Sequence, residues 1–428
     1  MPNNRIYYAS QTAQLRPQDA DTTYFGSWYQ PLGLQSVGMN TTFNLQQAFQ
    51  LGTVELYENI ENTPNVEVTM TKVIDNTAPL YTMCMGGSAG ADGANGGQSL
   101  GSLVNNRVNF RLGIFADNKQ YVKNSASSHV VCSGMYLSRF NFTIPIDGNG
   151  TESVTLVGNH KIWNTGTFLD QSTYGFNATT VFDPATVVGS ITPTKTSGVL
   201  TRQYVNILDS VLPEGSGGIK LPNSAGFAQT SGTSRPHYQS ITVSADLGRE
   251  NINELGKFSP YCRYTTFPIE VTSEFQVVSP NGDYVNANDF YLQDFCGVSK
   301  TNLKKHEIKI QINTANTANT CGNGMILDLG KKNVLTSVNH TGGDTGGGNV
   351  TVTYGFRNFN NFAISASGTY ADGIAIDAST GSVSALDYKE ESQPNVTVQP
   401  SHTSQPNEVS LLNTETIDSN YTGDTDNV

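Results

Sequence analysis

The side chains best able to do chemistry are few in this chain, and their spacing does not suit them to it. Its six histidines (His129, His160, His237, His306, His340, His402) are dispersed, with no HxH or HxxxH spacing to chelate a metal. Five cysteines (Cys84, Cys132, Cys262, Cys296, Cys321) include no CxxC pair, and they are too scattered for a disulfide framework. Gly330-Lys331-Lys332 fails as a phosphate-binding loop, because Met325 stands where a glycine is required and Lys332 replaces the hydroxyl residue. The glycine run Gly342–Gly348 lacks the spaced aspartates of a calcium loop and reads as a hairpin tip. Adjacent acids such as Glu390-Glu391 lie in an acidic C-terminal stretch, whereas glycosidase chemistry needs two carboxyls held on rigid scaffolding. The residues therefore point to no enzyme, no cofactor and no metal.

Charge narrows the partners. The chain of 428 residues carries a net −12. Residues 381–428 hold eight acids against the single base Lys389, which is −7 and leaves −5 for the rest. No basic stripe exists for gripping nucleic acid. The first residues, Met1-Pro2-Asn3-Asn4-Arg5, lack an apolar signal core, and no run reaches membrane-spanning length. The expectation is a soluble protein made in the cytosol with reduced thiols. Asn-x-Thr sequons such as those at Asn40, Asn141 and Asn339 follow from composition alone.

The elements that would position any site are strands. Charged residues make up only 14%, and glycine is high at 42 residues, a composition of many turns. Val66, Val68 and Met70 alternate with Glu67, Thr69 and Thr71, and Val271, Phe275 and Val277 alternate with Thr272, Glu274 and Gln276. Such period-two strands bury one face and wet the other, as in antiparallel sheets. Phe140, Phe142 and Ile144 form a further strand, which turns at Asp147–Gly150 and returns through Val154–Gly158. Short helices are expected to begin at Leu100 and Ala287.

Several of these signals recur. Gln35-Ser36-Val37 returns as Gln239-Ser240-Ile241, Leu51-Gly52 as Leu255-Gly256, and Pro64 as Pro268, each 204 residues on. Internal repetition at a fixed offset implies two copies of one β unit. The strands after the prolines are nearly the same, Val66–Thr69 following Pro64 after one extra residue and Ile269–Thr272 following Pro268 directly, which makes Glu67 and Glu270 equivalent. At a shifted offset of 168, with the extra length placed in loops, the Phe140–Ile144 strand answers to Ile308–Ile312, whose hairpin partner would be Val350–Tyr354. The implied organisation is an arm over 1–34, a first β domain over 35–165, a connector over 166–235, a second β domain over 236–379 and an acidic segment over 380–428. Asp372–Gly381 reads as a closing hairpin.

Two stretches resemble the tube proteins of bacteriophage tails. Leu51–Thr69, ending in Lys72-Val73-Ile74-Asp75, is similar to their early strands, and Pro145–Gly158 is similar to a later strand pair. The resemblance implies a fold of two tandem antiparallel β-sandwich or half-barrel domains with few short helices. It implies homotrimeric, pseudo-hexameric rings that stack into a tube, with other tail proteins such as a terminator and a distal tail protein as partners. It further implies a virion location and a lumen through which DNA passes without specific binding, and no membrane. Glu67, Thr69, Thr71, Glu270, Thr272 and Glu274 are the candidate lumen-facing residues. Gly86, Gly90, Gly93, Gly343, Asp344 and Gly347 are candidates for contacts between stacked rings. The alternatives are another virion β protein, an adaptor or decoration protein, and a carbohydrate-binding or carbohydrate-active β protein.

Overall fold

Alternating apolar residues, with glycine and asparagine at the turns, make the described parts of this chain almost entirely antiparallel sheet. A computed structural model describes residues 11–18, 31–75, 79–85, 100–115, 126–165, 199–202, 205–208, 237–258, 260, 262–278, 307–313, 324–342, 349–366, 375–376 and 383–384. Its first half contains β1 (Gln11–Gln18), β2 (Leu34–Thr42), β3 (Leu45–Phe49), β4 (Leu56–Glu61), β5 (Asn65–Val73), α1 (Leu80–Met85), α2 (Leu100–Leu103), β6 (Arg107–Phe115), β7 (Ala126–Pro145), β8 (Thr151–Gly158) and β9 (Ile162–Thr165). The second contains β10 (Val205–Leu208), β11 (His237–Asp246), β12 (Arg249–Ile252), β13 (Cys262–Thr265), β14 (Glu270–Val278), β15 (Lys309–Asn313), β16 (Gly324–Asp328), β17 (Val334–Thr341), β18 (Thr351–Phe359) and β19 (Ala363–Ala366). The small hairpin of β20 (Ala375–Ile376) and β21 (Val383–Ser384) falls where the sequence places a closing hairpin.

One pairing scheme occurs twice. In the first half β2 pairs β5, β5 pairs β8, and β8 pairs the later part of β7, while β1 pairs β6 and β6 and β9 pair the earlier part of β7. In the second half β11 pairs β14, β14 pairs β18 and β18 pairs β17, while β10 pairs β15, β15 pairs β16 and β16 pairs β19. A hairpin follows the first strand of each set, β3–β4 and β12–β13. The irregularities recur as well. Register shifts fall between Leu34 and Ser36 and between Tyr238 and Ser240, 204 residues apart. They fall again between Leu137 and Arg139 and between Leu335 and Ser337. A β-bulge is a local feature that fixes twist and register, so its repetition aligns the halves residue by residue.

That alignment corrects two sequence expectations. Ile308, Ile310 and Ile312 do not answer to Phe140–Ile144. They belong to β15 and its approach, which pair with β10 and β16 and stand in the place of β6. The hairpin partner of β18 is β17, an exposed edge whose alternation is too weak to announce a strand. Nor are Glu67 and Glu270 equivalent. Glu67 faces Asn40 and Val157 as Thr272 faces Ser244 and Arg357, so Thr272 holds the Glu67 position. The shared proline misleads because β5 begins one residue after Pro64 and β14 two residues after Pro268, which sets the two strands 205 apart. Two segments read as arm and connector also supply edge strands, β1 and β10.

The eight principal strands lie in the order β17-β18-β14-β11-β7-β8-β5-β2, two four-stranded sets joined where β11 meets β7. One face of this sheet is buried by Val68, Met70, Phe140, Phe142 and Leu156 in the first half and Val243, Phe275, Val352 and Tyr354 in the second. They share one core with Phe110 of β6, Ile310 of β15, Leu327 of β16 and the wholly buried α1. Phe362 reaches from the second half to stack on Phe140 at 4.7 Å and meets Tyr81 edge-on at 5.1 Å.

Candidate functional site

The opposite face of the eight-stranded sheet is mainly polar, with Val157, Val334 and Phe359 among its apolar members. Pairing places Gly38, Thr69, Thr155, Arg139 and Asp246 in one row and Ser36, Thr71, Ser153, Asn141, Ser244, Thr272 and Arg357 in another. Hydroxyls interlock across strands: Ser244 Oγ lies 3.0 Å from Thr272 Oγ1, and Ser240 donates to Gln276 at 3.1 Å. Two ion pairs lie here, Arg139–Asp246 at 2.7 Å across the joint and Arg357–Glu270 at 3.7 Å. Burial alone would raise the Asp246 carboxyl. The Arg139 guanidinium and the Gly248 N–H outweigh it and hold the group below its usual range. Glu67 and Glu274 add two acids that form no ion pair with a described residue, so the described strands of this face are mildly acidic and carry no lysine.

All six residues expected to line a lumen lie on this face: Glu67, Thr69 and Thr71 on β5, and Glu270, Thr272 and Glu274 on β14. The candidate stacking residues Gly86, Gly90, Gly93, Gly343, Asp344 and Gly347 lie outside the described residues. Gly342, at the end of β17, is where the β17–β18 turn begins. The expected helix at Ala287 is also outside them, whereas α2 begins at Leu100.

The second feature is a pair of open edges. Among the described residues no strand pairs the outer side of β17 or of β2. The internal joint shows what such edges do when they meet. There β7 and β11 pair antiparallel, with Asn141 opposite Ser244 and Thr143 opposite Thr242. β17 is the counterpart of β7, and β2 of β11.

The hairpins are the third feature, and sequence reasoning caught only their tips. Gly52 and Gly256 hold φ of +93° and +89° with open space around them, so both turns need a residue free of Cβ strain. Leu51 and Leu255 beside them are fully exposed. The β12–β13 hairpin lies on the first half. Arg249 donates to the Leu137 carbonyl at 2.9 Å and to that of Val104, with its guanidinium 4.9 Å from the Tyr136 ring centre. Arg263 donates to Asn159 at 2.7 Å and Asn65 at 3.1 Å, and the Thr63 hydroxyl donates to the Phe258 carbonyl. Burial lowers both guanidinium groups to about 10.

Among the described residues, groups able to do chemistry are not assembled into a site. Among the described residues no cluster of three or more His, Cys, Asp or Glu could hold a metal. Ser133 Oγ lies 2.9 Å from His160 Nδ1, with burial lowering the imidazole to about 4, and no carboxylate among the described residues orients the ring. Gly97-Gln98-Ser99-Leu100-Gly101 has nucleophile-elbow spacing that sequence reading passed over, and Ser99 lies outside the described residues. Glu152 is buried at the start of α1, accepting from the N–H groups of Leu80 at 2.7 Å and Tyr81 at 2.6 Å. Desolvation raises its carboxyl to about 7 against the opposing pull of Lys72 and those two donors.

No family model matches the chain, and no curated protein matches it. Among solved structures, a chain of the anti-feeding prophage baseplate, from a 6-fold symmetrised cryo-EM structure, is similar at 10% identity. That match covers 40% of this chain and 100% of the other, with a TM-score of 0.28. The SPP1 tail tube is similar at 14% identity over 40% of this chain and 81% of that one, with a TM-score of 0.21.

Proposed function

We propose that this chain is a structural virion protein, a tail tube subunit whose copies close into rings around a conduit for DNA, with no catalytic role. The observation that carries this reading is the internal joint. An edge of β7 type already meets an edge of β11 type inside the chain, and the same two edge types lie open at β17 and β2. Unpaired edges invite association, and a closed ring removes them. A head-to-tail contact closes whenever its rotation allows.

In this reading the chain is a duplicated unit, supported by the repeated pairings and bulges. Three chains, each giving eight strands, form a continuous barrel. At a strand spacing of about 4.8 Å and a tilt of about 40°, 24 strands enclose a cylinder roughly 50 Å across between backbones. The covered face carries the second layer, so the polar face turns inward. Hydroxyls and a slight excess of acid suit a wall past which phosphates slide, since a basic wall would hold them.

The internal joint also sets the register to test. Transferring it to the open edges puts Asn40 of one chain opposite Asn339 of the next. A chain carrying both Asn40→Cys and Asn339→Cys is expected to form a disulfide-linked ladder ending at the trimer, with hollow rings in end-on electron micrographs. Monomers only, or solid particles without a lumen, would overturn the reading.

A further inference from the structure

The two hairpins occupy the same place in their halves but different surroundings. Their registers coincide at an offset of 204: Leu45 pairs Glu61 as Arg249 pairs Thr265, and Gln47 pairs Asn59 as Asn251 pairs Arg263. Leu247, at the base of the second hairpin, is wholly buried, and its N–H donates to the carbonyl of the bulge residue Ser138 at 2.8 Å. Phe43 holds the same position in the first hairpin and is 70% exposed. Leu45, Phe49, Val54, Tyr57 and Ile60 add to an apolar surface on that hairpin far beyond scattered single residues.

We infer that the β3–β4 hairpin is a strap that seats on the second half of a neighbouring copy of this chain, in the pose that β12–β13 takes on its own first half. The inference rests on the ring reading and deepens it. The alignment set by the bulges names the seat. Tyr136 and Leu137 become Val334 and Leu335, the bulge residue Ser138 becomes Thr336, and Asn159 becomes Phe359. The chemistry changes on both sides together. Where the occupied seat presents an aromatic ring and an amide to Arg249 and Arg263, the open seat presents Val334 and the exposed Phe359. The unseated hairpin brings Leu45 and Asn59 at the arginine positions. At the Arg249 position a guanidinium–ring contact is thus replaced by an apolar one between Leu45 and Val334, while Asn59 and Glu270 stand where Arg263 and Asn65 meet in the occupied seat. In the seated strap Phe43 is covered and its N–H donates to the Thr336 carbonyl of the neighbour.

The test compares two double-cysteine chains, each with single-cysteine controls. Leu45→Cys with Val334→Cys, bridged by a short bismaleimide, reports the strap. Asn40→Cys with Asn339→Cys reports the edges. Intermolecular ladders from both are expected. A ladder from the edge pair alone would overturn the strap and leave the ring. A ladder from the strap pair alone would also overturn it, since the pose requires paired edges, and the absence of both would overturn strap and ring together. Phe43→Asp should raise the concentration needed for assembly at least tenfold, with an unchanged circular dichroism spectrum, because Phe43 is exposed in the single chain. Phe43→Leu, which copies Leu247, should restore assembly, and unaltered assembly of the Asp variant would overturn the strap.

Discussion

The two halves place opposite chemistry at one point of a shared scheme. In the first, Lys72 on β5 faces Glu152 on β8 across the buried side of the sheet; in the second, Val277 faces Val352 in the same register. Lys72 is 1% exposed and contacts Asp75 at 2.6 Å, while Glu152 holds the start of α1. The valine pair needs no partners beyond its neighbours. One scaffold therefore tolerates either a desolvated ionic cluster or plain apolar packing, and the ionic version anchors a helix. A buried ion pair is weak evidence of stability in itself, and the worth of this cluster lies in the two N–H groups that Glu152 satisfies.

The largest test of this contrast breaks the ionic cluster on one side. Lys72→Val leaves Glu152 buried with its cation gone, and should cost about 3–5 kcal/mol in chemical denaturation. Val277→Ala, at the matching place in the second half, should cost less, about 1–3 kcal/mol, as a simple loss of buried methyls. Equal losses would mean the ionic cluster carries no special burden.

Next comes acidity. The Glu152 carboxyl is raised from 4.5 to about 7 in the folded chain, so the folded state binds its proton more tightly than the unfolded one. Stability from this group is fully present below pH 4.5 and declines as pH rises toward 7. The decline is on the order of 1–3 kcal/mol. Glu152→Gln should flatten that stretch of the stability–pH curve, and an unchanged slope would assign the effect elsewhere.

The hairpin tips sharpen the comparison by predicting equality. Gly52→Ala and Gly256→Ala each force a Cβ into positive φ and should cost about 1–2 kcal/mol alike, read as matched shifts in denaturation midpoint. The smallest effect belongs to Arg139→Ala. Its pair with Asp246 is more than half exposed, so the loss should stay within about 1 kcal/mol and shrink with added salt.

Legibility followed burial pattern. β5, β14 and the β7–β8 hairpin alternate cleanly because one face is core and the other wet, and sequence alone located them. β17 was hidden, since an edge strand exposed on both sides has no period to show. β6 and the first stretch of β7 were hidden for the opposite reason. Arg107, Asn109 and Arg111 are buried like Val108 and Phe110, and residues 130–137 are buried without alternation. The polar face was readable from Thr and Glu at every second position. The open edges were not, because an unpaired strand side is a property of topology and leaves no mark on composition. An offset of 204 relates the registers of the two hairpins and of β2 and β11, and it becomes 205 between β5 and β14 because β14 begins one residue later after its proline.

The β7–β11 joint also imposes a rule of parity. Because each chain delivers its four-stranded sets already coupled in twos, any ring closed by these edges contains an even number of sets, and five or seven cannot arise. In such a ring half of the seams would be made within single chains, where effective concentration replaces diffusion and the partner is always the right one. A miscount by one set would then be removed by arithmetic before any contact is tested.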